Sequence, residues 1–415
     1  MATAASPPAP TPFGKVALIW LGWAILLIGF QVFVLARFEL HRPDNVMDWT
    51  ASWTSEDSAA RHPYLQNPII KGHAAWDSEF YISIALNGYD DPAMRAASPA
   101  STADAEVAGS KKDHPKWVSL NHAFLPGYPA AMALIARPLA ATGFNAIGAA
   151  TLAGVIVSLA GSLAAMLAIA DLSRGDGQEK LRAGFYLAIW PAAAFLAQVY
   201  SEGLFLGLSF GALAMMRRDK WLWAAGLAAA AVFTRATGFL LVIPFGWAWF
   251  FGGRRSLGRA ALAASPVAAY LVWRLFFGAD FDFVETKYFG RWPLALGQSW
   301  DAWSDFFDNL INADSSQTRA YDWVEVAGTV ASLVTSVLLW RRDKALTLYG
   351  LAIFAVVVTS GAALGMHRYA LAMPSVFLVP AWLGRHAVFD RLWTLSCVLG
   401  LAALALAFSF GFWAG

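Results

Sequence analysis

Residues 147–170 read IGAATLAGVIVSLAGSLAAMLAIA, a run without one charged side chain. As a helix rising 1.5 Å per residue it would be about 36 Å long, enough to cross the ~30 Å hydrocarbon core of a bilayer. Working outward from it, similar apolar segments fall at 14–37, 183–199, 201–216, 220–235, 237–252, 258–277, 324–340, 345–363, 369–384 and 391–413. The whole chain agrees: of 415 residues 58% are hydrophobic and only 14% charged, against about a quarter charged in soluble domains. Its 20 tryptophans suit indole rings anchored at membrane interfaces. The expected fold class is therefore an all-α integral membrane protein with about eleven transmembrane helices.

A net charge of +2 gives no reason to expect nucleic acid as a partner. The single cysteine, Cys397, excludes an intrachain disulfide and a cysteine-based metal cluster. Residues 1–13 are Pro/Ala-rich and read as a disordered tail; 14–415 read as one polytopic domain. The apolar stretch near the N-terminus is too long for a signal-peptide core and lacks a cleavage site, so it reads as an uncleaved anchor.

Charge asymmetry orients the spans. The short loops 171–182, 217–220, 253–259, 341–344 and 385–391 carry Arg and Lys in number, whereas the alternate turns 138–146, 200–202, 235–238 and 364–368 carry only Arg235 and Arg368. The basic set is assigned to the cytoplasm, with the N-terminus. The long loops 38–122 and 278–323 then lie outside. A full crossing by the apolar segment 124–141 would invert that order. Pro126, Pro129 and Pro138 mark it instead as a re-entrant or interfacial helix.

The first outer loop contains Trp76-Asp77-Ser78-Glu79-Phe80-Tyr81, continuing through Ile84-Ala85 to Gly88-Tyr89-Asp90-Asp91-Pro92. Positions 77, 80, 81, 84, 85 and 88 follow helical spacing and predict a short amphipathic helix ended by Gly88. Asp77 stands at its start, as an N-cap or as a general base. Glu79 reads as solvent-facing.

These residues resemble the W-D-x-x-x-Y-x-x-I-A-x-x-G-Y signature of the PIG-V-like mannosyltransferases, polytopic glycosyltransferases of the GT-C type. Further matches follow in order. Phe124-Leu125-Pro126-Gly127-Tyr128-Pro129 resembles F-x-P-x-Y-P, and Tyr200-Ser201-Glu202-Gly203-Leu204-Phe205 resembles Y-T/S-E-S-L-F. Thr234-Arg235-Ala236-Thr237-Gly238 resembles T-R-P-T-G, and Arg368-Tyr369 an R-Y pair. The sequence departs from the pattern at Gly203, where a small hydroxyl residue is usual, at Ala236, and in an insertion at about 93–116. The resemblance covers roughly 70–385. It implies a GT-C fold, Asp77 as catalytic base and a polyprenyl-phosphate sugar as donor, with mannose the expected sugar and a lipid or glycan as acceptor.

The residues themselves point to the same face. Arg235 and Arg368 stand where arginine opposes the orientation signal, either snorkelling to headgroups or gripping a phosphate; His367 adjoins Arg368 as a second donor. Glu202 lies in a three-residue turn between spans, as a functional acid or a helix-terminal one. Trp76, Tyr81 and His122 complete the candidate substrate-binding set, His122 to orient the acceptor or to cap the surface. Asp90-Asp91 admit a divalent cation with Asp77 or a simple turn before Pro92. The second outer loop interleaves acids with aromatics, as interfacial helices or as a platform for sugar rings. There is no Walker loop, H-E-x-x-H or G-x-S-x-G pattern. The resulting expectation is inverting sugar transfer on the outer face of a membrane, bacterial plasma membrane by composition, among bulk membrane lipids. A transporter or flippase of a lipid-linked sugar is the alternative, though no internal repeat supports it.

Overall fold

In a computed structural model of the chain, residues 10–38, 62–65, 69–97, 117–253, 255–312 and 316–415 are described. The expected tail 1–13 and the insertion 93–116 fall largely outside these residues. Thr11, within the expected tail, is tied down: its hydroxyl donates to Asp171 at 3.0 Å.

The helices run in order α1 (Phe13–Arg37), α2 (Ser78–Asn87), α3 (Gly127–Ala140), α4 (Ala146–Leu172), α5 (Gly177–Ile189), α6 (Glu202–Arg217), α7 (Trp221–Thr234) and α8 (Val242–Phe251). There follow α9 (Leu257–Ala263), α10 (Ser265–Lys287), α11 (Leu296–Asn312), α12 (Ser316–Leu339), α13 (Lys344–Val358), α14 (Met366–Tyr369), α15 (Ser375–Leu383) and α16 (Ala387–Ser409). Among the described residues the strands are β1 (Arg95–Ala97) and β2 (Trp117–Ser119), antiparallel with Ala96 opposite Val118.

Each of the eleven expected apolar segments falls mainly on helix, and the integral-membrane, all-helical expectation holds. Fewer are long enough to cross alone: among the described residues four helices qualify, or up to six if two bent pairs each count as one span. The difference has a physical cause. Segment 183–199 changes at Pro191 from α-helix to a 3-10 stretch over Pro191–Ala197, which meets α6 at 98°; α7 and α13 have only 14 and 15 residues. Polar side chains set the starts. Asn145 accepts from the Gly148 N–H at 2.6 Å to begin α4, Asp176 from Glu179 at 2.8 Å to begin α5, and Asp343 from Leu346 at 3.0 Å to begin α13.

Segment 124–141 becomes α3, whose 14 residues make a rod of about 21 Å. It folds back along the first half of α4, with the Tyr128 hydroxyl 2.9 Å from both the Gly154 carbonyl and Ser158 Oγ. The half-length hairpin means that α3 does not run the length of α4.

Ion pairs gather at the two ends of α6. At its start Glu202 meets Arg235 and Arg368. At its other end Arg217 pairs with Asp343, Arg218 with Asp171, and nearby Arg342 with Glu179. α6 packs tightly on α4 because both backbones are bare there: a Cβ on Gly203 would collide with the Ser158 carbonyl, and one on Gly161 with the Gly203 carbonyl.

Candidate active site

Trp76 turns the chain into α2 with φ at +55°, a left-handed conformation uncommon for a bulky residue. The turn is held from several sides. The Trp76 indole donates to the Phe412 carbonyl at 3.2 Å and meets Trp413 edge-on at 5.0 Å between centroids. The buried Tyr200 hydroxyl donates to the Ala75 carbonyl at 3.0 Å and accepts from the Asp77 N–H at 3.2 Å. Asp77 occupies the N-cap position of α2, yet its side chain makes no capping hydrogen bond. Its carboxylate accepts instead from Arg368 Nη2 at 3.0 Å and keeps 21% of its surface exposed.

Arg368 reaches Asp77 from α14 and is otherwise enclosed. Its Nε donates to Glu202 Oε1 at 2.5 Å, its Nη1 to the Gly415 carbonyl at 3.2 Å, and its guanidinium lies 4.9 Å from the Phe195 ring and 4.8 Å from the Tyr200 ring. Glu202 Oε1 also accepts from Arg235 Nη1 at 2.5 Å, so one buried carboxylate bridges two arginines. Two cations on one buried acid is a tolerable arrangement only because Asp77 balances the second. Tyr81, on the face of α2 next to Asp77, donates to Ser201 at 2.9 Å.

These groups open into a cavity of about 870 Å³. Asp77, Tyr81, Arg235 and Arg368 line it, and Phe239, Tyr270, Val356, Val357, Trp292 and Pro293 supply apolar wall. The last turns of α10 add Phe281, Asp282, Glu285 and Thr286. A carboxylate, a cluster of guanidiniums and an apolar wall together suit an amphiphile with an anionic head beside a hydroxyl to be deprotonated.

The chain is similar to GPI alpha-1,6-mannosyltransferase 2. It is 29% identical to the Mus musculus protein of that name over 199 residues, 46% of this chain and 34% of that protein. It is 28% identical to the Cricetulus griseus protein over 181 residues, 42% of this chain and 30% of that one. The chain spans about a third of the length of the curated relatives it matches. No family model matches it. The similarity supports the family resemblance drawn from the motifs.

Of the residues singled out by sequence, Asp77, Tyr81, Arg235 and Arg368 line the cavity, and Glu202 and Trp76 stand directly behind them. His367 faces away: Nδ1 lies 3.0 Å from Glu325 Oε2 and Nε2 is 2.8 Å from the Ala414 carbonyl. Glu325 also accepts from the Gly365 N–H at 2.6 Å and the Tyr321 hydroxyl at 2.6 Å, so this pair shapes the turn that carries Arg368. His122 stacks on Tyr89 at 5.3 Å and lies 4.0 Å from Asp90, outside the cavity lining.

Glu79 is not solvent-facing: it is buried, with His62 Nδ1 2.8 Å from its carboxylate. Asp91 takes hydrogen bonds from Tyr64, from Ser83 at 2.7 Å, from Asn87 at 3.2 Å and from the Ala93 N–H at 2.9 Å. Burial pushes that carboxyl up, but the donors outweigh it and hold it below its ordinary value. A carboxylate so surrounded by donors is built as a brace for the loop. Among the described residues no three His, Cys, Asp or Glu side chains converge as a metal site.

Sequence reasoning missed Glu285 and Arg291, both cavity-lining, because 278–323 read as loop. α10 in fact continues to Lys287. The signal was present: Phe281, Asp282, Glu285, Thr286 and Phe289 keep the i, i+1, i+4, i+5, i+8 spacing of one helix face past the expected boundary.

Proposed function

We propose that this protein is a membrane glycosyltransferase that moves mannose from a polyprenyl-phosphate donor to a lipid or glycan hydroxyl, with Asp77 as general base. The observation that carries the reading is the Asp77 carboxylate, at a helix start but not spent on capping it, aimed by Arg368 into a cavity with both cationic and apolar walls. In the proposed step the acceptor oxygen attacks the anomeric carbon and its proton passes to Asp77. The bond from that carbon to the phosphate oxygen breaks, and the electron pair leaves on the polyprenyl phosphate. A single displacement inverts the anomeric centre. Arg368 fixes the direction of the carboxylate, and Glu202 balances the charge of Arg368 and Arg235 and holds them in place. Asp77 belongs to a turn that the charge pattern assigns to the outer face, so the reaction is proposed there. The relatives are mannosyltransferases by name, which supports the choice of sugar.

The test is transfer from radiolabelled polyprenyl-phosphate mannose and glucose by purified protein in nanodiscs, with host lipid extract as acceptor and Asp77→Asn alongside. Transfer that is lost in the variant supports both enzyme class and base. Equal transfer by both proteins removes Asp77 from the mechanism. Silence of the wild type with both donors sinks the reading.

A further inference from the structure

Four arginines line the cavity: Arg235, Arg274, Arg291 and Arg368. Three are committed to carboxylates. Arg235 is held by Glu202, Arg368 by Glu202 and Asp77, and Arg274 by a two-pronged pair with Asp282 at 2.5 and 2.7 Å. Arg291 differs. Its Nη1 donates to the Tyr369 hydroxyl at 3.1 Å and its Nη2 to the Leu364 carbonyl at 3.1 Å, both neutral acceptors, and no ion pair within 4.0 Å is found for it among the described residues. Glu285 shares the cavity but is not among its hydrogen-bond or ion-pair partners. Of the five N–H donors of a guanidinium, three stay available.

The segment bearing Arg291 is anchored. Its N–H donates to the Glu285 carbonyl at 2.9 Å, Trp292 to Ser360 at 3.1 Å and Ala295 to Thr359 at 2.9 Å. Directly after the arginine come Trp292, Leu294 and Leu296, which are 37%, 72% and 64% exposed. A cation followed by a strip of exposed apolar side chains reproduces the order of groups in a prenyl phosphate, head then chain.

We infer that Arg291, and not Arg368, is the principal ligand of the donor's phosphate, with the prenyl chain leaving along 292–296. The inference rests on the proposed function. The donor phosphodiester carries one negative charge and the departing phosphate monoester approaches two. A guanidinium with spare donors and no carboxylate hydrogen-bonded to it is suited to that gain in charge, whereas the charge of Arg368 is already shared by Asp77 and Glu202.

The test measures binding of farnesyl phosphate, and of farnesol as a phosphate-free control, to the full chain in detergent. Wild type is compared with Arg291→Ala, Arg291→Lys and Tyr369→Phe, all checked for equal thermal midpoints. Arg291→Ala is expected to weaken farnesyl phosphate by about tenfold or more, Arg291→Lys by less, and neither to change farnesol. Unchanged affinity in Arg291→Ala overturns the inference. So does an equal loss in Tyr369→Phe, which would show that Arg291 acts by holding the 364–369 turn. If wild type transfers sugar while Arg291→Ala binds normally, only this inference falls; if wild type transfers nothing from either donor, the proposed function falls with it.

Discussion

Asp77 and Arg368 lie 291 positions apart in the chain and meet through a single 3.0 Å hydrogen bond from Nη2 to Oδ2. The pair closes the gap between α2 and α14, and four expectations follow from its surroundings.

Asp77→Asn keeps the volume of the side chain and leaves Arg368 its bond to Glu202. Removal of a general base typically costs about 10²–10⁴ in rate. The expected outcome is a thermal midpoint near that of wild type with transfer reduced by that order, read from initial rates and unfolding in the same detergent.

Glu202→Gln takes the shared counter-charge from two buried arginines at once. Breaking a buried pair costs about 3–5 kcal/mol, so this variant is expected to lose stability as well as turnover. A thermal midpoint equal to that of Asp77→Asn would show that Glu202 does not carry the charge balance described.

Gly203→Ser restores the residue usual in the related motif, yet its Cβ meets the Ser158 carbonyl. Overpacking of this kind costs about 1–3 kcal/mol. The expected result is a lowered midpoint and reduced transfer; a stable and active variant would place the α4–α6 contact wrongly.

Asp91→Asn keeps one acceptor oxygen but turns the other into an NH2 donor, so either Tyr64, Ser83 and Asn87 or the Ala93 N–H lose their acceptor. Leaving buried donors unmet costs about 1–3 kcal/mol. The pH dependence has a definite sign. The folded carboxyl titrates below its ordinary value, so its contribution is complete above the unfolded value of about 3.9 and fades as pH falls through the folded one. The stability gap between wild type and Asp91→Asn should therefore narrow below about pH 4, measured by thermal unfolding across a pH series.

Much of this was readable in the chain. The apolar runs became mainly helix because a buried or lipid-facing backbone must bond to itself, and segment 124–141 forms a helix only after Pro126, with Pro138 inside it. Arg235, Glu202 and Arg368 stood out as charges placed where the membrane pattern disfavours them, and Asp77 as a carboxylate at a helix start. His367 and Glu79 were misjudged for another reason. Whether a side chain beside a site points into it depends on its partner, here Glu325 for His367 and His62 for Glu79, and no local pattern names a partner 42 or 17 residues away. Arg291 was hidden because the sequence shows which residues carry charge but not which charges are already spent.

The bare backbone at Gly203 has one more consequence. Position 203 and the stretch of α4 around Ser158 and Gly161 form a lock whose two halves were cut together. Kin of this chain that keep a hydroxyl after the glutamate must hold their facing helix farther off or recess it there, so the two positions should drift as a matched pair across any set of homologues, and transplanting either alone between lineages should misplace the acid that steadies both arginines.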